Sequence, residues 1–502
     1  MKHTKIFFIL MAGLLLTSCN DWLDIKPAEQ ERENDLYEKV NGFKDALSGC
    51  YATMAEQSAY GRSLTMTDLD CLAGLWSEPS EVNRPAWYYL YHHQYDNNET
   101  RDEIKSIYKS LFNVITQANF ILQHIEGEDG KVIRSTNLRN IINGEAYGIR
   151  ALCQFDILRL FGQMPQNAQR QISLPYSEVT GIETLPAYYN FNEYVAKLES
   201  DLNKAEQLLL QSAPERSYSP NAPTTTTSEN PADTDVDFLS YRNHRMNLWA
   251  VKAIKARLYL YLGQTSKAYK EAKEILEANS DGTAYMTLTT RNDYLSGYYN
   301  SINECLFAIS CDQLGNYAVS TLGGDASASI DANSVLHIST AMYSQMYPNT
   351  QSDVRYSYLW EQTKSGYLTY PTLKKYYYDT SATYDLAELL TRHEIVPVIR
   401  LSEIYLILME TTTDLAEANT LYKDYMKARN VNISTDYTTL EEVKEEVINE
   451  YMREFYGEGV MFYVYKRLGM ETMKWFTSEH MGEDQYILPL PSTEFNPATK
   501  NN

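Results

Sequence analysis

The sequence has none of the short motifs that mark the common enzyme classes. A phosphate-binding glycine loop, a Gly-x-Ser-x-Gly turn and a His-Glu-x-x-His helix are all missing from it. The adjacent pair His92 and His93 is a poor chelating site, because neighbours along a chain cannot easily bind one ion. Oxygen ligands for calcium could come from Asp68, Asp70 or Asp129, although none of them belongs to a full calcium loop. We therefore expect no catalytic residue, no metal centre and no cofactor, with bound calcium left open.

Cysteine and positive charge are scarce as well. The six cysteines leave an odd number once Cys19 is set aside, so a complete disulfide framework is excluded, although Cys305 could still pair with Cys311. The 44 Lys and Arg are outnumbered by 66 Asp and Glu, which gives a formal net charge of −22. A surface this acidic repels polyanions, and we expect no nucleic-acid partner.

An apolar run at the N-terminus predicts export. It covers residues 6–16, follows two lysines and ends shortly before Cys19. Such a segment is typical of a secretory signal, and it falls short of the roughly 20 residues that a membrane-spanning helix needs. Because small residues precede Cys19 as in a bacterial lipobox, we predict a signal peptide over residues 1–18 and a lipid on Cys19 that anchors the chain to a membrane. Plain secretion is the alternative.

Periodic apolar residues predict long helices. One covers residues 104–125, and a second covers residues 138–161 after the N-cap candidate Ser135. Asn247 begins a helix that stops at Gly263, and a partner helix follows at once, with Ala268 at the spacing of tetratricopeptide-type repeats. Similar pairs are predicted at 138–162 with 192–210 and at 401–410 with 414–429. We therefore expect a mostly α fold in which tetratricopeptide-like helical hairpins form a base.

Two stretches lack this periodicity. Residues 217–237 are expected to form a mobile loop inside the helical region. From about residue 280 to 395, Tyr, Ser, Asn, Gly and Thr dominate, which predicts an irregular, loop-rich lobe where binding residues tend to concentrate. The mature chain thus divides into an N-terminal helical region, residues 19–280, and a C-terminal region, residues 281–502, that carries the lobe and the closing helices.

Tyrosine is in excess, with 42 Tyr against 14 Phe and 6 Trp. Its flat face and polar edge suit surfaces that stack sugar rings or grip peptides. A dense aromatic stretch with nearby asparagines lies between two predicted helices, in a segment that we expect to be a loop. Its candidate ligand contacts are Trp76, Asn83, Trp87, Tyr88, Tyr89, Tyr91 and Asn97, and a weaker set in the lobe comprises Tyr294, Tyr298, Tyr299, Tyr317 and Trp360. A loop plugged into the core would have the same composition.

Abundant carboxylates leave one enzymatic hypothesis open. A glycoside hydrolase needs two acidic groups that face one cleft at about 5–10 Å. Glu454 and Glu458 are the best-spaced helical pair, but acidic residues at this spacing more often anchor arginines. An all-helical hydrolase or lyase is therefore the minor alternative to a binding protein.

Five segments resemble the SusD/RagB family of outer-membrane nutrient-binding lipoproteins. Residues 19–27 are similar to the family's start at the lipid-bearing cysteine, and residues 396–406, 453–469 and 487–497 to its later segments. The most specific match contains Glu145-Ala146, Arg150-Ala151, Phe155-Asp156, Arg159, Phe161-Gly162 and Pro165. The resemblance covers nearly the whole mature chain.

This resemblance implies a non-catalytic protein that its lipid holds at the outer surface of the outer membrane. It would bind oligosaccharides or a polysaccharide and deliver them to a partner, a SusC-like TonB-dependent transporter over which it sits as a lid. In the family, the ligand aromatics lie before the second long helix and in the irregular lobe, which here means residues 76–95 and 294–360. Capture of peptides by the same architecture is the alternative.

Overall fold

Helices make up most of the chain that the structure describes. This computed structural model describes residues 35–181, 184–212, 236–239, 241–280, 282–323, 331–347, 352–365, 368–379, 382–385, 388–476, 480–492 and 494. The predicted signal peptide, Cys19 and residues 217–235 of the predicted loop lie outside these ranges. The end of that loop is corrected, because residues 236 and 237 begin a short helix. The mostly helical fold with small sheets is confirmed.

The N-terminal half is built around two long helices that pack against each other. Its elements are α1 (Val40–Met54), α2 (Asp68–Leu72), α3 (Pro85–Tyr91), α4 (Asn98–Glu126), α5 (Thr136–Phe161), β1 (Leu174–Tyr176), β2 (Ala187–Tyr189), α6 (Phe191–Leu210) and α7 (Val236–Leu239). The side chain of Ser135 caps α5, as predicted, by accepting from the Leu138 N–H. α5 packs closely on α6, since a Cβ at Gly144 would lie 2.8 Å from the side chain of Leu209.

The first predicted hairpin consists of α8 (Leu248–Tyr261) and α9 (Thr265–Leu276). Asn247 caps α8, and Gly263 makes the turn with a φ of 70°, a conformation that favours glycine. Ala268 and Ala272 are fully buried, so the paired helices approach closely at small side chains. The tetratricopeptide-like geometry that the sequence predicts is therefore present here.

The lobe between residues 279 and 400 consists of short elements, as its composition predicts. Its helices are α10 (Arg291–Leu295), α11 (Leu314–Leu322), α12 (Thr340–Met346) and α13 (Val354–Tyr358). Its strands pair antiparallel as β3 (Asn279–Ser280) with β4 (Thr283–Ala284), β5 (Cys305–Ser310) with β8 (Ile395–Arg400), and β6 (Trp360–Ser365) with β7 (Leu368–Leu373). Because Cys305 lies opposite Arg400, the β5–β8 sheet joins the early part of the lobe to its end.

The closing helices are α14 (Leu401–Thr411), α15 (Leu415–Ala428), α16 (Leu440–Glu454), α17 (Met461–Leu468) and α18 (Glu483–Tyr486). α14 and α15 form the hairpin predicted at residues 401–410 and 414–429, and a capping box of Thr439 and Glu442 opens α16. α14 packs on α9 as well, so helices from both sides of residue 280 share one hydrophobic core. The division of the chain at residue 280 stays a prediction.

The cysteines of the described chain are free. Cys305 and Cys311 do not pair: the Cys305 thiol donates to the Ser301 carbonyl at 3.5 Å, and the Cys311 thiol to the Ala55 carbonyl at 3.3 Å. Both thiols are buried, and burial raises the pKa of Cys311 to about 11. They therefore act as small apolar core groups.

A buried ion-pair network joins the lobe to the closing helices, and Glu454 lies at its centre. One carboxylate oxygen of Glu454 accepts from Arg400 at 2.7 Å and from Arg429 at 2.8 Å, while the other accepts from Arg355 at 3.1 Å. All four side chains are at most 1% exposed. Burial alone would raise the pKa of Glu454, but the three guanidinium groups hold it well below its ordinary value.

The same network continues outward in both directions. Arg400 also binds Glu304 and donates to Glu458 at 2.7 Å, and Glu458 in turn accepts from Lys375 at 2.6 Å. Arg355 donates to Glu450 at 2.6 Å and to its own neighbour in sequence, Asp353, at 2.7 Å. Glu304, Arg355 and Lys375 belong to the lobe. Ion pairs therefore join three segments of the lobe to the closing part of the chain.

A second long-range contact completes the C-terminal end of α5. The buried side-chain nitrogen of Lys466 donates to the carbonyls of Arg159 at 2.7 Å and of Gly162 at 2.9 Å. The N–H of Leu488 donates to the Leu160 carbonyl at 3.0 Å. The last carbonyls of a helix have no hydrogen-bond donors within it. Residues near the C-terminus of the chain supply these donors for α5.

We predict that Glu454→Ala lowers the free energy of unfolding by about 3–5 kcal/mol, because buried guanidinium groups would lose their shared carboxylate. Urea denaturation followed by circular dichroism measures the loss. Glu445→Ala, an exposed position in the middle of the same helix, is the matched control and should change stability by less than about 0.5 kcal/mol. A Glu454 variant as stable as the wild type would contradict the structural role of the network.

A pH dependence follows from Asp70, whose carboxyl group accepts a hydrogen bond from the Gly457 N–H at 2.6 Å. Burial raises the pKa of Asp70 to about 8, so the folded protein keeps a proton that the unfolded chain releases near its ordinary pKa of about 4. The contribution of this group to stability is therefore lost as the pH rises from about 4 to about 8. Urea midpoints across this range should shift steadily in favour of Asp70→Asn over the wild type, and a constant difference would disprove the assignment.

Candidate functional site

The aromatic stretch before α4 is a helix and not the predicted loop. α3 begins with Pro85 in its first turn, where a proline costs no hydrogen bond. Trp87 and Leu90, three positions apart, are its buried residues, while Tyr88, Tyr89 and Tyr91 remain half-exposed. The sequence carried this signal in the proline and in the i, i+3 spacing, but seven residues are too few for a clear apolar period.

Trp87 is buried in the hydrophobic core. Its indole N–H donates to Asp68 at 3.2 Å, and the side chain is 4% exposed. The guanidinium groups of Arg84 and Arg62 lie 4.9 Å and 5.8 Å from the indole ring centroid, within the range of cation–π contact. The expectation that Trp87 offers its ring face to a ligand is therefore contradicted by its burial.

Three more predicted aromatic contacts are also in the core. The indole N–H of Trp76 donates to the Met66 carbonyl at 3.2 Å, and its ring packs edge-on against Tyr456, which contacts Trp360 in the same way. Tyr294 is 1% exposed and lies within hydrogen-bond distance of Ser301. The expectation of accessible rings at Trp76, Tyr294 and Trp360 is corrected: these rings fill space between the lobe and the helices.

The accessible part of α3 is a group of three rings that we call the α3 tyrosine patch: Tyr88, Tyr89 and Tyr91. The rings of Tyr88 and Tyr89 meet edge to face with centroids 5.3 Å apart, and His92 lies 4.6 Å from Tyr88 and 5.2 Å from Tyr91. Polar contacts hold Tyr89 and His92 in place, since Tyr89 donates to Glu81 at 2.9 Å and His92 lies 2.7 Å from Glu78. The patch combines ring faces with carboxylates and an imidazole at its edge.

The two predicted asparagines have different environments. Asn97 is the N-cap of α4, where its side-chain oxygen accepts from the Glu99 N–H at 3.0 Å, so that oxygen already has a partner. Asn83 is exposed in the turn before α3, and its backbone N–H bonds to Ser80. Asn83 therefore keeps the accessible amide that the sequence predicts, whereas the side-chain oxygen of Asn97 caps a helix.

Arg84 connects the patch to the lobe. Its guanidinium donates to the Ser334 carbonyl at 2.7 Å and to the Ser320 carbonyl, near the end of α11, at 3.0 Å. Half-exposed Tyr317 lies on the same helix, α11. Arg84 was not among the predicted site residues, although its place directly before the helix-opening Pro85 is a signal in the sequence.

The lobe contributes a second group of half-exposed rings beyond α11. The Lys374 ammonium lies 5.3 Å from the ring centroids of both Tyr299 and Tyr377, and Arg392 lies 5.0 Å from that of Tyr298. The neighbouring ring of Tyr378 packs directly on α11, because a Cβ at Gly315 would lie 2.5 Å from it. Together with Tyr317 these rings form the lobe tyrosine surface: Tyr298, Tyr299, Tyr317, Tyr377 and Tyr378.

The candidate catalytic and metal-binding groups are occupied by other contacts. Glu454 and Glu458 bind arginines and Lys375 inside the ion-pair network, so both carboxylates already have cationic partners. Asp68 and Asp70 are fully buried, and exposed Asp129 pairs with Lys131 at 3.0 Å. Within the described ranges, acidic, histidine and cysteine side chains do not gather in groups of three that could hold a metal ion.

Two family models match the chain over most of its length. The model described as "Starch-binding associating with outer membrane" matches residues 21–229, and the model described as the SusD family matches residues 205–499, more than half of the chain. The chain belongs to the SusD family. Within the described residues, no helix of this SusD-family protein is both long and apolar enough to cross a membrane.

Relatives with curated names are distant. SusD-like protein P2 of Formosa agariphila is 23% identical over 332 residues, and the match covers 66% of this chain and 57% of that protein. SusD-like protein P25 of the same organism is 26% identical over 172 residues, which covers 33% of this chain and 31% of the relative. The chain therefore spans little more than half the length of the first of these relatives, and less of the second.

Solved structures share the fold over almost the full chain. A SusD superfamily protein from Bacteroides thetaiotaomicron has a TM-score of 0.69 at 21% identity, covering 91% of this chain and 97% of its own. Surface glycan-binding protein A from the same organism, solved in complex with laminarihexaose, has a TM-score of 0.64 at 15% identity, covering 90% and 96%. At these identities the likeness shows the SusD fold.

Because Trp87 is buried, we predict that Trp87→Ala lowers the free energy of unfolding by about 3–5 kcal/mol, the usual loss for a core tryptophan. Tyr88→Ala, on the exposed side of the same helix, is the matched control and should cost less than about 1 kcal/mol. Both values come from urea denaturation. Equal stability of the two variants would mean that the indole of Trp87 is not part of the core.

Proposed function

We propose that this protein captures a glycan on the α3 tyrosine patch and the lobe tyrosine surface, without cleaving it. The supporting observation is the pairing of accessible, fixed ring faces with polar groups at their edges. Sugar rings present C–H faces and hydroxyl edges, so a binding surface needs both kinds of group. On α3, Tyr88 and Tyr89 supply faces, while Glu78, Glu81 and His92 can bond to hydroxyls.

The rigidity of the surface supports binding. Arg84 fixes the start of α3 to two lobe carbonyls, and Gly315 lets Tyr378 pack on α11, so the two tyrosine groups are connected through one helix. A preorganised surface loses little entropy when a ligand binds. The amide of Asn83 lies beside the patch and can bond to a further hydroxyl.

The proposal of capture without cleavage rests on the ion-pair partners of the acidic residues. The pair best spaced for acid–base chemistry, Glu454 and Glu458, is bound to Arg400 and Lys375 in the core. Burial would raise the pKa of Glu454, but its arginine partners hold it well below the ordinary value, which is opposite to what a general acid needs.

We further propose that a lipid on Cys19 holds the chain on the outer membrane, facing outward, and that the captured glycan passes to a SusC-like TonB-dependent transporter. The sequence before Cys19 and the description of one family model as associating with the outer membrane support the location. Laminarihexaose in the complex of the B. thetaiotaomicron glycan-binding protein supports a β-glucan as the first ligand to try.

Binding should depend on the patch. We predict that the double variant Tyr88→Ala/Tyr89→Ala weakens oligosaccharide binding by about 1–3 kcal/mol, the range for exposed aromatic hot spots. Isothermal calorimetry with laminarihexaose and with maltohexaose measures the loss. Tyr241→Ala removes a tyrosine that is 52% exposed and belongs to neither tyrosine group, and this matched control should bind like the wild type.

Two results would contradict this proposal. One is unchanged affinity in the double variant for a hexasaccharide that the wild type binds. The other is the appearance of shortened products, detected by mass spectrometry, when the wild type is incubated with the same sugar.

A further inference from the structure

A cavity of about 460 Å³ lies on the opposite side of α4 from the patch. Its walls come from α4, from the segment around β2 and from the tail after α18, and they include Tyr108, Phe112, Tyr188 and Glu494. This volume falls in the range of about 300–1,000 Å³ that is typical of small-molecule sites. Nothing in the proposed glycan surface uses it.

Helical geometry separates the two places. Glu103 lies 3.9 Å from Arg62, which contacts Trp87 beneath the patch. Lys105 and Lys109 line the cavity, and at about 100° per residue they lie roughly 200° and 240° around α4 from Glu103. A ligand in the cavity therefore does not touch the patch residues, and the two can be tested independently.

Two lysines without ion-pair partners stand at the cavity. Lys105 and Lys109 are exposed and one helical turn apart, and among the described residues no carboxylate lies within 4.0 Å of either ammonium. The chain carries a net charge of −22, so two unpaired lysines beside one cavity form a local exception. Such a pair attracts a carboxylate or a sulfate more strongly than a neutral group.

The rest of the lining suits a sugar ring. The rings of Tyr108 and Phe112 meet with centroids 4.6 Å apart and provide an apolar wall. The Glu494 carboxylate accepts a hydrogen bond from the Tyr188 hydroxyl. Burial and the nearby Glu494 raise the pKa of the Tyr108 phenol, which keeps it protonated and able to donate. Thr116 and Thr180 add hydroxyls to the same lining.

We propose that this cavity is a second binding site, which takes an acidic sugar residue at the end of an oligosaccharide. Lys105 and Lys109 bind the carboxylate of a uronic acid or the oxygens of a sulfate ester. The Tyr108 and Phe112 rings face the sugar ring, and Glu494 accepts from its hydroxyls. The choice of a sugar among possible anions rests on the proposed glycan function, whereas the anion preference rests on the two lysines.

The test measures binding of tetragalacturonate and of a sulfated carrageenan tetrasaccharide to the full mature chain by isothermal calorimetry in low salt. Fully methyl-esterified tetragalacturonate is the neutral match of equal size. We expect the wild type to bind at least one acidic probe at least tenfold more tightly than the neutral match, and Lys105→Gln/Lys109→Gln to lose at least tenfold in affinity. Lys270→Gln, at an exposed lysine of α9, is the control and should bind like the wild type.

Every other result overturns the assignment. Failure of the wild type to bind either acidic probe at millimolar concentration excludes the site, as does equal binding by the double lysine variant. Lysine-dependent binding of a short peptide but of no acidic sugar would assign the cavity to a zwitterion instead. The variant Tyr88→Ala/Tyr89→Ala should keep its affinity at the cavity, so failure of the patch and failure of the cavity are distinguishable.

Discussion

The buried network around Glu454 is the constraint on which the architecture depends. A lobe made of short helices and two-stranded sheets has little regular structure with which to hold its own shape. Its arginine, glutamate and lysine side chains are instead fixed on charges of the closing helices, in a region from which water is excluded. Ion pairs are directional, and a buried charge without its partner is costly, so the network permits few alternative positions of the lobe.

That constraint extends to the proposed binding surface through α11, a helix of the lobe. α11 belongs to the lobe, and it receives Arg84 from the helical half and Tyr378 from the lobe itself. The tyrosines are therefore held by a rigid support even though several of them lie in irregular segments. The family relation and the shared fold show that the helical scaffold is common to these proteins, although a shared fold does not by itself fix which side chains a member presents.

Local signals predicted what local interactions determine. Ser135, Asn247 and Gly263 marked real helix ends, because a cap depends on residues only a few positions apart. The direction in which Trp76 or Trp87 points depends on contacts with distant segments, and composition does not contain that information. The spacing of Glu454 and Glu458 indicated that they bind arginines. The partners of Glu454, which are Arg355, Arg400 and Arg429, could be identified only from the folded chain.

The hydrogen bonds of Lys466 determine when the end of α5 can fold during synthesis. The final carbonyls of α5 gain their partners from residues about three hundred positions further along the chain. A polypeptide emerges from the ribosome with its N-terminus first, so this helix end stays frayed until nearly all of the protein has been made. The first turns of α5 can form while synthesis continues, whereas its last turn waits for the C-terminal residues. The end of the central helix therefore gains its full set of hydrogen bonds only after Leu488 has been made.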